Sequence, residues 1–318
     1  SIGSPRALID ECSDSQIRWL EPAEVSNLEF HRRPDANKGN FGHALIVAGS
    51  IGKTGAAVMS GWAALRAGAG LATVATPEPC LPIVAAQIPE IMTEPLAATH
   101  AGTISATALD HDYFAKLLHG KTVLAMGPGI STQAETQEFV HRVVRDTPAP
   151  TVLDADGINA FAGHRAELAK HRCSELVLTP HPGEMARLID STPADVQKQR
   201  IEIAQTAAAG FKATVVLKGH QTVIARPDGS TWINSTGNPG MAKGGTGDVL
   251  TGMLAGILAQ HGRTNWTEAV CLAVYLHGLA GDLAAREIGE IPLMATDVIR
   301  GIPRAYENLL AELQHART

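Results

Sequence analysis

Short apolar runs, each closed by a glycine turn and followed by a helical segment, mark this 318-residue chain as one α/β domain. They predict a single doubly wound, mostly parallel sheet with helices on both faces. Parallel strands covered on both sides are apolar throughout rather than alternating, and the crossover helices account for the intervening segments. The recurrence is of this grammar, not of a fixed period, which argues against a solenoid. No Pro- or Ser-rich linker divides the chain after residue 40.

Residues 1–37 are polar and irregular, with a short helical candidate around Glu21–Leu28, and are read as an N-terminal extension or linker; the domain runs over 38–318. The first strand is Ala44–Ala48, followed by the glycine-rich turn 49–55 and a helix of small residues over Ala56–Ala67. Leu71–Ala75 is the next strand. The pattern returns at 122–129 (TVLAM, then GPG), 151–157 (TVLDADG), 176–184 (LVLTPHPGE) and 214–219 (TVVLKG). In such sheets ligands sit outside the carboxyl ends of the strands, so these turns are expected to converge on the ligand edge.

The charge balance, 26 Lys+Arg against 32 Asp+Glu, is −6, with no basic stripe, so neither nucleic acid nor a membrane surface is an expected partner. Cys12, Cys80, Cys173 and Cys271 are too scattered for a disulfide framework or a thiolate zinc site, and reduced thiols are expected. The longest nearly unbroken apolar stretch, Val249–Ala259, falls far short of the ~20 residues of a membrane span. The first residues lack the apolar core of a signal peptide. A soluble, cytoplasmic protein is the expectation.

Chemistry concentrates in Asn234–Ala259. Gly237, Gly240, Gly244, Gly245 and Gly247 precede an apolar helix beginning near Asp248. Amides freed by the glycines (Gly244, Gly245, Thr246 and Gly247) and the positive helix end together suit a phosphate or a developing oxyanion. Asp248 would repel such an anion unless it has another task, and taking a proton from a substrate hydroxyl is the obvious one. A carboxylate that only complements the helix dipole is the plainer reading, and the five glycines and Lys243 weigh against it.

Four other segments are less decisive. GSIGKTG, 49–55, is not a Walker A loop: Val47 stands where Gly or Ala is needed, and Lys53 would fall a turn early relative to the helix. There is no G-x-G-x-x-G, so a Rossmann dinucleotide site is not supported. TPHPGE holds His181 and Glu184 on a Pro-stiffened turn at a strand end, although a lone His is more often packing. Asp154 and Asp156 could hold Mg²⁺ through water or merely cap the next helix. Zinc proteolysis and triad hydrolysis have no motif here.

KGNFGHALIVAGS, GPG, LDADGINAF, TPHPGEMARL, LKGHQTVIA and NPGMAKGGTGDVLTGML stand in this order over about residues 38–310. Together they resemble the ADP/ATP-dependent NAD(P)H-hydrate dehydratases of the ribokinase-like superfamily. Gly-Thr-Gly-Asp alone is shared with ribokinase-like kinases; TPHPGE together with AKGGTGD is far more specific. The resemblance implies repair of the hydrates NADHX and NADPHX: phosphorylation of the hydroxyl from ADP or ATP, then loss of phosphate. It implies Asp248 as the base in contact with substrate. Ala56, Gly129 and His181 would line the hydrate pocket, and Lys218, Gly219, His220, Gln221, Thr222 and Gly247 the nucleotide site. Mg²⁺ would bridge the nucleotide phosphates, with its protein ligands unassigned, and the family's usual homotetramer is implied. SIGSPRALI looks like the end of an NAD(P)H-hydrate epimerase domain, which makes a bifunctional parent chain the expectation. The competing readings are a ribokinase-like kinase of a vitamin-precursor alcohol and a nucleotide-sensing protein without turnover.

Overall fold

The computed structural model describes residues 16–315, so Cys12 and the epimerase-like SIGSPRALI lie outside the described residues. Ten strands form one sheet in the order β1-β10-β9-β8-β7-β6-β5-β2-β3-β4. Their ranges are β1 Ile17–Leu20, β2 His43–Val47, β3 Leu71–Pro77, β4 Met92–Leu96, β5 Val123–Met126, β6 Thr151–Leu153, β7 Leu176–Leu178, β8 Thr214–Leu217, β9 Val223–Ala225 and β10 Thr231–Asn234. Every pairing is parallel except those of β9 with β8 and with β10. The expected mostly parallel, doubly wound sheet is what forms.

Successive strand residues point to opposite faces, and both faces are covered. In β2, Ala44 and Ile46 join one core with the helices Thr54–Arg66, Thr246–His261, Trp266–Ile288 and Ala295–His315. Leu45 and Val47 join the other, against the helices Ala134–Asp146, Pro182–Ile189 and Arg200–Phe211. A strand buried on both sides has no polar face to show, which is why these runs are legible as apolar blocks.

Three expectations need correction. The segment after Gln16 is not a detached extension: β1 pairs with β10, and Leu20 and Val25 are buried in the core. The helix expected around Glu21–Leu28 is a single 3₁₀ turn, Pro22–Val25. Nor is Val249–Ala259 the most membrane-like segment. Helix Trp266–Ile288 has the length and mean hydropathy of a span, but 72% of its apolar window is buried inside the protein, so it is a core helix. Scattered polar residues such as Thr267, Glu268 and His277 break its apolar run without lowering its average enough to matter. Cys80, Cys173 and Cys271 are free and buried, as scattered reduced thiols should be.

Helix Thr246–His261 lies across helix Thr54–Arg66 at very short range. Gly252 and Gly256, four residues apart, face it: a Cβ on Gly252 would run into the Ser60 carbonyl, and one on Gly256 into the Ala64 carbonyl. Ser60 Oγ also donates to the carbonyl of Asp248 at 3.0 Å. The small-residue stripe therefore fixes how closely the Asp248-bearing helix packs on helix Thr54–Arg66.

Candidate active site

The chain lays β3 and β4 on one side of β2, then reverses and lays β5 to β8 on the other. The crevice at such a reversal is where open α/β sheets bind ligands. Here the loops after β2 and β5 are tied together: the Gly49 amide donates to the Pro128 carbonyl at 2.8 Å, and Ser50 Oγ to the Gly129 carbonyl at 2.7 Å. Gly129 has φ +64°, and a Cβ there would sit 3.1 Å from the Ala56 Cβ. Ala56 and Gly129 thus face each other at the switch point. Lys53 immediately precedes the helix, which starts at Thr54 rather than Ala56, so it does not lie a turn early; Val47 alone still excludes a Walker A loop. Its ammonium pairs with Asp156 at 3.3 Å.

At the next strand ends lies a buried polar cluster. Asp154 follows β6 and is 1% exposed. Its Oδ1 accepts from Lys218 Nζ and from Thr179 Oγ1, both at 2.7 Å, and its Oδ2 accepts from Thr251 Oγ1 at 2.7 Å. Its side chain makes no capping bond to the following helix, so it does not serve as the cap expected of it; three donors enclose it instead. Glu184 Oε2 stands 3.7 Å from Lys218 Nζ. Burial works against the Lys218 charge, but the Asp154 and Glu184 carboxylates outweigh it and hold the ammonium above its ordinary pKa.

His181 caps helix Pro182–Ile189: its Nδ1 accepts from the Gly183 and Glu184 amides at 3.0 and 3.3 Å, while Glu184 Oε2 accepts from the His181 amide at 2.8 Å. These donors place the ring proton on Nε2. Burial, against the pull of Glu184, holds the imidazole below its usual pKa, so it is neutral at pH 7. His181 is thus a capping residue with half its side chain exposed.

Gly245, at φ +94°, starts helix Thr246–His261 and puts Asp248 on its first turn. The Thr246 amide points to the Lys243 carbonyl at 3.4 Å, so the cradle expected there rests on its glycines more than on Thr246. A Cβ on Gly247 would come 3.4 Å from Lys218 Nζ and 3.9 Å from Asp154 Oδ2, so the ammonium lies directly beside the helix start. Burial first, then the negative charge of Asp154, raises the Asp248 pKa to about 7 against the opposing Lys218. A carboxylate tuned near neutrality is suited to accepting a proton. Because the ionised form is the base, activity should rise through pH 7 and fall about tenfold per unit well below it, measured as initial rate against pH at saturating substrate.

The 218–222 turn is organised from below by Arg200, which sequence reasoning missed. Its guanidinium donates to the carbonyls of Leu217 at 3.0 Å, Lys218 at 3.3 Å and Gln221 at 3.5 Å. Gly219, at φ +143°, is what allows that approach, since a Cβ would meet the guanidinium at 2.8 Å. Thr222 Oγ1 closes the turn on the Gly219 carbonyl at 3.0 Å, leaving His220 and Gln221 exposed. Nothing in the sequence distinguishes Arg200 from a surface arginine. With the nucleotide role that the family resemblance implies for this turn, Arg200→Ala should loosen it and raise the KM for nucleotide about tenfold, given ~1.5 kcal/mol for a hydrogen bond to a charged group, with kcat changed far less; steady-state kinetics checks it.

The geometry thus brings Asp248, Gly247, Lys218, Glu184 and His181 to one edge, with Ala56 and Gly129 in the adjoining crevice. His277 also reaches the site: its Nε2 lies 3.0 Å from the Thr246 carbonyl, and burial lowers its pKa to about 4, so it is a neutral donor there. Among the described residues no group of three or more His, Cys, Asp or Glu could hold a metal ion.

An open parallel sheet with its crevice at the switch point, and an acidic residue one turn into a glycine-started helix, define a ribokinase-like protein. A solved ribokinase-like superfamily protein from Enterococcus faecalis shares the fold at 28% identity and TM-score 0.76, over 93% of this chain and 98% of its own. The sequence profile described as NAD(P)H-hydrate dehydratase matches residues 44–304. The chain belongs to the NAD(P)H-hydrate dehydratase family.

It is 45% identical over 313 residues to the bifunctional NAD(P)H-hydrate repair enzyme of Moorella thermoacetica, covering 98% of this chain and 58% of that protein. The chain thus spans somewhat under three-fifths of that relative's length. It is 36% identical over 289 residues to the ADP-dependent (S)-NAD(P)H-hydrate dehydratase of Bacillus subtilis, covering 91% of this chain and 97% of that one. The crystal structure of the Bacillus subtilis ADP/ATP-dependent NAD(P)H-hydrate dehydratase, co-crystallised with ATP/Mg²⁺, has TM-score 0.78 at 33% identity, over 92% and 98% of the two chains.

Proposed function

We propose that this chain restores NADH and NADPH from their hydrates, NADHX and NADPHX, using ADP or ATP as phosphoryl donor. The observation that carries the reading is Asp248 on the first turn of a glycine-started helix, with the Lys218 ammonium beside the same turn. In the first step Asp248 takes the proton of the hydrate hydroxyl. A bond forms between that oxygen and the terminal phosphorus while the bond from phosphorus to the nucleotide breaks. The amides of Gly244, Gly245 and Gly247 and the Lys218 charge stabilise the transferring group, which needs positioning and electrostatics more than covalent help. In the second step the carbon–oxygen bond breaks, phosphate leaves with its electron pair, and a ring proton is lost as the double bond forms. Phosphorylation matters because hydroxide is a poor leaving group.

Mg²⁺ would arrive on the nucleotide phosphates and neutralise their charge. The Ala56–Gly129 crevice and His181 would take the dinucleotide, and the Arg200-supported turn, Lys218 to Thr222, the adenine nucleotide. The bifunctional names of several relatives support a parent chain that also carries an epimerase activity. A cytoplasmic homotetramer is the assembly we propose. The test is absorbance at 340 nm on mixing the protein with NADHX, Mg²⁺ and ADP or ATP. A nucleotide-dependent rise is expected; no rise with either donor, from folded protein and fresh substrate, overturns the reading in favour of a ribokinase-like kinase of a small alcohol.

A further inference from the structure

Asp154 is buried beneath the site, yet three elements of it converge on this one carboxylate. β7 sends Thr179, β8 sends Lys218, and helix Thr246–His261 sends Thr251, each to within 2.7 Å of its carboxylate. Thr251 lies one turn beyond Gly247, whose carbonyl shares the same hydroxyl at 3.2 Å. The backbone under Asp154 is held as firmly. Its amide donates to the Met126 carbonyl at 3.0 Å, and its carbonyl accepts from the Gly157 amide at 2.9 Å. Ala155 just after it stands at φ +47°, a conformation a non-glycine residue keeps only where its surroundings impose it. Gly127, at φ +132°, leaves room for the Asp154 carbonyl, which a Cβ there would strike.

Resting on the reaction read above, we propose that Asp154 is a positioning residue. Its buried carboxylate locks the Lys218 ammonium to the first turn of helix Thr246–His261, so that the lysine charge meets the transferring phosphoryl group while Asp248 faces the hydroxyl. A buried lysine without such a partner loses its proton or swings toward water. Glu184 at 3.7 Å is a weaker substitute, and its Oε2 is already engaged by the His181 amide. Thr251 makes the link mechanical as well as electrostatic, because the same carboxylate grips the lysine and the helix that carries Asp248.

The charged and titratable groups around Asp248 come from every side. They are Asp154 after β6, Asp156 in the following turn, Glu184 on helix Pro182–Ile189 and Lys218 after β8. His277 approaches from helix Trp266–Ile288, and helix Thr54–Arg66 contributes only the neutral Ser60 next to Asp248. Asp154 raises the Asp248 pKa more than Lys218 lowers it. Neutralising Asp154 therefore favours the ionised Asp248 even with the lysine displaced, so the acid limb of the pH–rate profile should move to lower pH.

The experiment compares wild type with Asp154→Asn in NADHX turnover across pH, with ADP binding measured by calorimetry. Absence of wild-type turnover would sink the proposed reaction itself and is read separately from the effect of the variant. With an active wild type, Asp154→Asn should lower kcat about 10²-fold, the loss typical of a misplaced electrostatic group, and shift the acid limb down by about half a pH unit or more. A kcat within threefold of wild type overturns the proposal, and so does a lowered kcat with an unmoved acid limb, which is what a merely structural role produces. Should Asp154→Asn fail to fold, Thr251→Val decides. It breaks the helix side of the lock without altering charge, and kcat should fall about tenfold with ADP affinity kept, whereas kcat within twofold overturns the proposal.

Discussion

Asp248→Asn should reduce kcat by about 10²–10⁴-fold, which corresponds to ~3–5.5 kcal/mol of lost transition-state stabilisation. The substitution keeps the volume and the helix start but removes the only group on that turn able to accept a proton. Lys218 stays paired with Asp154 at 2.7 Å, so its charge beside the helix start persists. Nucleotide binding should therefore survive and even tighten, because a carboxylate facing the phosphates is gone. Rapid-mix kinetics with NADHX and calorimetry with ADP give the two readings. A variant turning over within tenfold of wild type would remove Asp248 from the chemistry. Loss of turnover together with loss of ADP binding would show a folding defect rather than a missing base.

Gly252→Ala should be strongly disruptive for a single added methyl. The new Cβ would collide with the Ser60 carbonyl, a backbone atom that cannot step aside as a side chain could. The helices Thr54–Arg66 and Thr246–His261 must separate, at a cost of about 3 kcal/mol for overpacking of this kind. For a chain of 318 residues that lowers the melting temperature by roughly 4–5 °C, and it moves the helix that carries Asp248, so kcat should fall as well. Gly210→Ala on helix Arg200–Phe211 is the matched control. Its Cβ would meet nothing within 4 Å, so the same methyl should stabilise by about 0.4–1 kcal/mol through the unfolded chain. Calorimetric melting of the two variants side by side separates a packing effect from a propensity effect.

The central strands were readable from sequence because both of their faces are buried, which makes Ala44–Ala48, Thr122–Met126, Thr151–Leu153 and Thr214–Leu217 apolar blocks ended by glycine. The edge and hairpin strands were not. β4 carries Thr93, Glu94 and Pro95, since an edge strand tolerates polar residues and proline, and β9 runs into β10 rather than into a crossover helix. β1 went unread for the same reason: three of its four residues are exposed, and only pairing with β10 makes it a strand. In the site, Asp248 was legible because a glycine cluster at a helix start announces itself locally, whereas the Lys218–Thr222 turn was singled out only through the family resemblance. Arg200, Thr179 and Thr251 were not, because each acts on a residue at least 17 positions away in the chain.

Sequence by itself determined the alternation of strand and helix, the placing of glycine-rich turns at strand ends, and the family, because these depend on local periodicity and on motifs a few residues long. Only the tertiary structure decided that Asp154 caps no helix but joins three elements, and that a stripe of two glycines sets how closely the helix bearing Asp248 packs on helix Thr54–Arg66. Only it decided, too, that Asp248 titrates near neutrality. Those outcomes depend on distances between segments far apart in the chain, and on the exclusion of water where they meet. A carboxylate's role and its pKa follow from its neighbours in space, which no local pattern records.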